Sequence, residues 1–480
     1  MQAAFWQTAN VLRSRPPGNG KKAHLRCVFT CRIILDEERS DITVSNPSPG
    51  ETKQEIAEEG QQGNETGASY KTARTLVSIK NRFANVSKAY WTLSSIEFLF
   101  WFAAATGSYL TVFLQKNGFT PTQVGVINAL NAAVAIAATP FWGMMADKFR
   151  SIRKIFICCM CIAATLWALV PFSSKIALGP IFLMHMIIPI GSFFRMPAMS
   201  LMDAFVVQTA ARENVAYGNV RLWGSISFAV MSISLSAILP WTGVEITFYM
   251  YGMAFIPLMF IMGRMKDPPG TERKSVPFRE MQFGKLFKNY YFLTYMIFAI
   301  FMQMPMNTSI AFLPYLVDMV GGDTAQLGLI TGYKALLEVP MLLIMKPLRK
   351  RFPLPVAIIA AGLLYILEFA LYTKANSLME ILLIQTLHGL GGGLMIGSST
   401  NYVFTMAPKG LNSTAHTVNG AMNSSAAIVG NLLGGVLIVA VGIRNFYLVA
   451  AGIILLALIY FVSTLLVGTK VLKKPLPMSD

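Results

Sequence analysis

From about residue 90 onward the chain is a succession of apolar runs, each closed by glycine, proline or charge. A bilayer-spanning helix needs about 20 apolar residues at a rise of about 1.5 Å each. Twelve runs approach or exceed that length: approximately Trp91 to Leu114, Val124 to Met145, Arg153 to Phe172, Ile176 to Val207, Leu222 to Pro240, Ile246 to Gly263, Tyr290 to Val317, Ala325 to Met345, Leu354 to Thr373, Leu378 to Ala407, Thr414 to Val441 and Arg444 to Val467. The longest polar stretch among them, Arg264 to Asn289, divides the runs six and six. The expected fold is an all-α membrane protein of twelve transmembrane helices in two six-helix bundles. The expected organisation is a tail over 1–89, a first bundle over 90–263, a central loop over 264–289, a second bundle over 290–467 and a C-terminal tail over 468–480.

Charge agrees with this and removes the soluble classes. Residues Met1 to Lys88 hold 22 charged side chains, 13 basic and 9 acidic. The other 392 positions hold 41, too few to solvate a globular surface of that size. A net charge of +17 can signal nucleic-acid binding. Here the cations fall between the apolar runs, which is the pattern of membrane orientation. One set of alternate loops carries 21 Lys and Arg, from Lys148 to Lys474, and the other set carries Lys116, Lys175, Lys374 and Arg444. The bias places both termini in the cytoplasm, with the plasma membrane expected rather than an organelle.

Five cysteines show no disulfide spacing, and His24 beside Cys27 and Cys31 falls short of the four ligands a structural metal site needs. No metal or cofactor is expected. The acid-free first 35 residues are compatible with a transit peptide, or with a disordered cytoplasmic tail. Sequons at Asn64 and Asn85 fall on the wrong face for glycosylation. Gly391, Gly392 and Gly393 lack the Lys-Ser/Thr of a phosphate loop, and no catalytic constellation stands out, so an enzyme or an ATP-driven pump is not expected.

The two halves resemble each other at an offset near 200. Thr122, Gln123, Val124 and Gly125 open the second run as Ala325, Gln326, Leu327 and Gly328 open the eighth, and His185 and His388 stand at the same 203-residue offset. Two halves related by an axis along the membrane normal would carry a binding site between them near the midplane.

The loop between the second and third runs holds Gly143, Asp147, Lys148, Arg150, Arg153 and Lys154. This resembles the signature loop of the major facilitator superfamily, Gly-x3-Asp-Arg/Lys followed by a basic cluster. The glycine would let helix 2 approach a neighbour closely, and the aspartate would meet a helix N-terminus. The resemblance implies that this neighbour is helix 11. The second half departs from the pattern, with Leu343 and Pro347 where Gly and Asp would stand. The strings around Tyr217, Gly218, Arg221, Trp223, Gly224 and Phe228, together with Glu338, Val339, Pro340, His388 and Gly389, are similar to the branch with phenylpropionate permeases, nucleoside:proton symporters and, more distantly, lactose permease. That similarity implies a secondary transporter moving a small organic solute by alternating access, with protons. A receptor or scaffold that kept the fold and lost transport is the alternative; a monomer suits either.

Ionisable residues inside the bilayer cost about 2.5 to 3.5 kcal/mol each on insertion scales, so each needs a reason. Lys334 and Glu338 lie one helical turn apart and are expected to pair, and Glu338 would take a proton on losing its partner. Arg195 lies too deep to snorkel easily and would bind an anionic substrate or hold Glu97; Glu97, about 9 Å into its helix, could otherwise snorkel. Asp203 and Arg221 stand at similar depth on adjacent antiparallel helices and would form a gating ion pair. Asn307, Asn401, Asn419 and Asn423 are expected to bridge helices rather than bind cargo, with Asn307 also a candidate for the substrate and proton pathway. His388 would titrate near neutral pH or simply pack in a thin helix, and Glu368, five residues from a helix end, would snorkel.

The charge bias makes a topological prediction. A cysteine placed before Trp91 and one placed beside Arg273 should be labelled from the same side of the membrane, and opposite labelling would remove the twelve-helix count.

Overall fold

The computed structural model describes residues 88–178, 181–267, 286–407 and 412–473. The tail with His24, Cys27, Cys31, Asn64 and Asn85, and the loop cations from Arg273 to Lys285, lie outside the described residues. Hydrocarbon supplies no hydrogen bonds, so a spanning segment must pair its own backbone, and the described chain is nearly all helix. The helices are α1 (Lys88–Lys116), α2 (Pro121–Lys148), α3 (Ile152–Ser173), α4 (Met184–Arg212), α5 (Tyr217–Thr242), α6 (Ile246–Arg264), α7 (Tyr290–Met319), α8 (Thr324–Arg351), α9 (Leu354–Tyr372) and α10 (Leu378–Met406). A continuous helical stretch, Asn412–Leu466, follows. Fifty-five residues would reach about 80 Å, far more than one crossing of about 30 Å. Gly442 breaks the stretch with φ 82°, a conformation that glycine adopts without strain. It therefore makes two spans, α11 (412–441) and α12 (443–466), and twelve crossings among the described residues.

The fourth run differs from its expected form. Instead of a helix from Ile176, a short antiparallel hairpin pairs Ala177–Leu178 with Ile181–Phe182, and α4 starts at Met184. It is interrupted at Met196 and Pro197 between the segments Met184–Arg195 and Ala198–Arg212, because proline lacks an N–H and crowds the preceding turn. Several helices also run past their apolar limits into charged turns, as α8 does to Arg351. Hydropathy reports the thickness of the lipid rather than the length of the helix.

The repeated strings at α2 and α8 have a physical meaning. Thr120 caps α2 and Asp323 caps α8, and Gln123 and Gln326 each return a bond to the cap backbone, closing a capping box at the same place in both halves. The glycine two residues later then lies on a seam between the halves. A Cβ on Gly125 would strike the Asn431 carbonyl of α11, and one on Gly328 would strike the Ser232 carbonyl of α5. Gly332 and Gly435 extend the same seams, against Ala229 and Ile233 and against Pro121. Absence of a side chain lets backbones come into contact, the means by which membrane helices associate without a hydrophobic drive. Polar contacts join the halves at this face as well. Gln115 donates to Asp318 at 3.2 Å and the Tyr315 hydroxyl to the Phe119 carbonyl at 3.2 Å. A cavity of about 370 Å³ beside Gln115 and Asp318 is lined by Val112, Pro314 and Leu327.

At the opposite face, which carries the basic α2–α3 loop, the signature loop is arranged otherwise than expected. A Cβ on Gly143 would meet nothing within 4 Å, and the same holds for Gly218 and Gly420. The Asp147 side chain makes no hydrogen bond among the described residues, and Lys148 lies 6.0 Å from the Phe149 ring. The glycine is therefore not a point of close approach to α11 in this structure, whose halves meet at the other face. Order in the loop comes from a residue that sequence reasoning did not select. Asp267, just past α6, accepts from Ser151 Oγ at 2.6 Å and from the Arg153 backbone N–H at 3.0 Å. The Arg153 guanidinium in turn donates to the Gly263 and Met265 carbonyls at 2.8 and 2.7 Å. The start of α3 is thereby clamped to the end of α6, with an anion on a helix N-terminus and a cation on a C-terminus.

The seam yields a prediction. Gly328→Ala should force α5 and α8 apart at a cost of about 1–3 kcal/mol for overpacking. Thiol labelling of a cysteine at Ser236, from the Lys116 side in a cysteine-free background, should rise about 5- to 150-fold. An unchanged rate in folded protein would mean that this seam does not close the face.

Candidate functional site

In the first half, the ionisable groups cluster around aromatic rings. Glu97 on α1 is fully buried and does not snorkel. Its Oε2 accepts a 3.0 Å hydrogen bond from the Trp101 indole N–H, one helical turn along, while its Oε1 is buried without a partner. The other side of that indole carries Arg221, whose guanidinium sits 4.2 Å from the ring centroid. Gly224 makes room for this stack, since a Cβ there would meet both Trp101 and Arg221. Asp203 is close enough to act electrostatically on Glu97 and accepts a 3.4 Å hydrogen bond from the Tyr217 hydroxyl. The expected Asp203–Arg221 ion pair is not formed among the described residues. Equal depth brings the two into one cluster, but the flat guanidinium is turned onto the indole face, an arrangement suited to arginine.

Arg195 does not hold Glu97 either. It ends the first segment of α4 with its guanidinium 4.5 Å from the Trp167 ring and 5.3 Å from the Tyr251 ring. Gly107, in a 3-10 turn that interrupts α1 at Gly107–Tyr109, leaves the space the guanidinium occupies. These neighbours come from α1, α3 and α6, so the cation is stabilised by ring faces inside its own half. Desolvated contacts of this kind contribute about 2 kcal/mol or more.

In the second half, Lys334 and Glu338 project from α8 and are both half-buried. No ion pair joins them among the described residues. Glu338 instead lies against α10, where a Cβ on Gly392 would meet its Oε1 at 3.4 Å. The neighbouring glycines keep α10 thin in two directions. Gly389 and Gly393 lie against the α8 backbone at Lys334 and Glu338, while Gly391 lies against the Tyr365 ring of α9. Gly391, Gly392 and Gly393 thus serve helix packing, and their conspicuous run in the sequence has a structural cause.

Glu368, expected to snorkel, is fully buried and forms a 2.9 Å contact from Oε1 to Nδ1 of His388. His388 is therefore more than a packing residue. Its ring meets Tyr365 edge-on at 5.5 Å, and Tyr365 lies within electrostatic reach of both Glu368 and Glu338. Sequence position alone gave no signal for this pair, because 20 residues and a helix hairpin separate its members. Asn307 bridges α7 to α11 through Asn423 at 3.1 Å, and Asn401 bonds within α10 to the Gly397 carbonyl. Among the described residues no cluster of three or more His, Cys, Asp or Glu could hold a metal ion.

Comparison with known proteins places these observations. The model of the MFS_1 like family matches residues 90–449. Among curated proteins, the uncharacterized transporter YwbF of Bacillus subtilis (strain 168) is 25% identical over 337 residues, 67% of this chain and 83% of that protein. The maltose permease of Geobacillus stearothermophilus is 24% identical over 350 residues, 71% of this chain and 86% of that one. Among solved structures, the nucleoside transporter NupG superposes with a TM-score of 0.66 at 17% identity, over 78% of this chain and 99% of that one, a likeness of fold.

The first-half cluster predicts a stability effect. Trp101→Phe keeps the ring under Arg221 but removes the one hydrogen bond that the buried Glu97 carboxyl accepts from a side chain among the described residues. Thermal unfolding of the purified protein should show a loss of about 1–3 kcal/mol. Wild-type stability in this variant would mean that the indole N–H does not support Glu97.

Proposed function

Because the chain belongs to the MFS_1 like family of membrane transporters, we propose that it is a symporter carrying a small polar organic solute together with protons, by alternating access between its two halves. Transport of a small solute, rather than catalysis, follows from the family. The finer statement is supported by one arrangement above all: a carboxyl, Glu338, half-buried in mid-helix against a glycine face, with Lys334 one turn away and unpaired with it. An ionisable pair inside the bilayer is costly, and one that is separable gives a carboxylate two environments with different proton affinity. In this reading the structure holds the separated arrangement, and renewed pairing with Lys334 expels the proton. The relatives named a maltose permease and a sucrose permease point to a saccharide-like, uncharged solute. Arg195, caged by rings in the first half, is left out of the solute path. The glycine seams at one face and the open glycines at the other support a closed face opposite the basic loops, which the positive-inside bias assigns to the exterior. Asp203, Arg221, Trp101 and Glu97 form the inner-half cluster that movement of α5 against α1 and α4 would remodel.

Uptake in proteoliposomes with and without a pH gradient, over a panel of sugars and nucleosides, tests the function. No accumulation of any solute by folded protein would favour a receptor that kept the fold. Within this scheme Glu338→Gln should abolish uphill, proton-driven accumulation while preserving solute counterflow, since a permanently neutral side chain mimics the loaded state. Undiminished accumulation in that variant would remove Glu338 as the proton site.

A further inference from the structure

Glu368 stands about 6 Å from the end of α9, within easy reach of the interface for a snorkelling side chain. It turns inward instead and has no exposed surface. One carboxyl oxygen meets His388, and the other is buried close to the Tyr372 hydroxyl. The buried Tyr372 hydroxyl faces both Glu368 and the buried Gln385 Oε1. A polar site is thus built in the interior of the second half. His388 is the member that reaches accessible space, its side chain keeping 7% exposure against 0% for Glu368.

The groups that face this site are few. From α9 itself come Tyr365 and Tyr372, from α10 Gln385, and from α12 Tyr447, whose ring lies 4.9 Å from Tyr372. Glu338 and Lys334 lie on α8, beyond the glycine face of α10.

We propose that Glu368 and His388 form a second proton-binding site, in which His388 takes a proton from water at its accessible ring nitrogen and Glu368, bonded to Nδ1, supplies the fixed counter-charge. An N–H bond forms on the imidazole as hydronium gives up its proton, and the reverse step returns the proton to water. Glu368 is a positioning residue, fixing the ring's orientation and tautomer as outer partners of histidine do. Tyr365 links the site to Glu338, so that the charge on one carboxyl influences the proton on the other. The role in transport rests on the symport proposal above; the existence of the site does not.

The test uses the full chain in lipid bilayers, with 15N-labelled histidine and solid-state NMR. The chain has four histidines, and His388→Gln assigns the ring in question. At neutral pH the ratio of imidazolium to imidazole at His388 should fall about tenfold or more in Glu368→Gln, the usual weight of a lost opposite charge at this distance. Glu368→Asp should restore most of it, while the other rings stay unchanged as evidence of folding. A ratio unaltered in Glu368→Gln, or a His388 ring that stays neutral in wild type from acid to alkaline pH, overturns the proposal. Accumulation of maltose, sucrose and uridine under a pH gradient is measured in the same preparations. Equal accumulation by wild type and Glu368→Gln removes the site from coupling and overturns its role. If wild type accumulates none of the three, it is the symport proposal that fails for them, and the ring charge alone decides whether the site exists.

Discussion

A hydrocarbon interior returns nothing to a polar group that enters it, and every notable position in this molecule is an answer to that constraint. The backbone answers by helix formation. The side chains answer in different ways. Arg195 takes ring faces, Glu97 takes an indole N–H, and Glu368 takes an imidazole. Lys334 and Glu338 are half-buried and, among the described residues, unpaired with each other, which is why the second half is the place to look for exchange with a moving ion. Had the first half kept a carboxylate beside Arg195, the two halves would offer equivalent candidates.

Glycine performs two different jobs around these groups. At Gly125, Gly328, Gly332 and Gly435 it brings helices of opposite halves into backbone contact. On α10 it thins one helix so that a carboxyl on α8 and a tyrosine on α9 approach from two sides. The first job concerns how the halves meet, and the second how charge inside one half is shared.

Helix number and order were legible in the sequence because hydropathy and length are properties of a segment by itself. So was the repeat, since the capping glutamines Gln123 and Gln326 and the glycines that follow them act locally before they act at the seam. Depth was legible too: Asp203 and Arg221 do occupy one cluster. What could not be read was azimuth. Five residues from a helix end, Glu368 can face lipid or protein, and only the packing of α9 on α10 and α12 decides between them. The partner of Arg221 was missed for the same reason, because an indole four residues past Glu97 competes with Asp203 for its flat face. Gly143 shows a further limit. Whether a glycine touches a neighbour depends on which face of the molecule is closed, and a sequence is common to all such states.

The contact between Gln115 and Asp318 has a peculiarity of position. The two residues are 203 apart, the same interval that separates the paired capping boxes and the paired histidines. Each is therefore the counterpart of the other, and the hydrogen bond joining them crosses the approximate twofold axis itself. A position that faces its own image can be filled by one residue type only if that residue complements itself. Two aspartates there would repel. The amide and the carboxylate mark a point at which the halves differ in chemistry and complement each other across the axis.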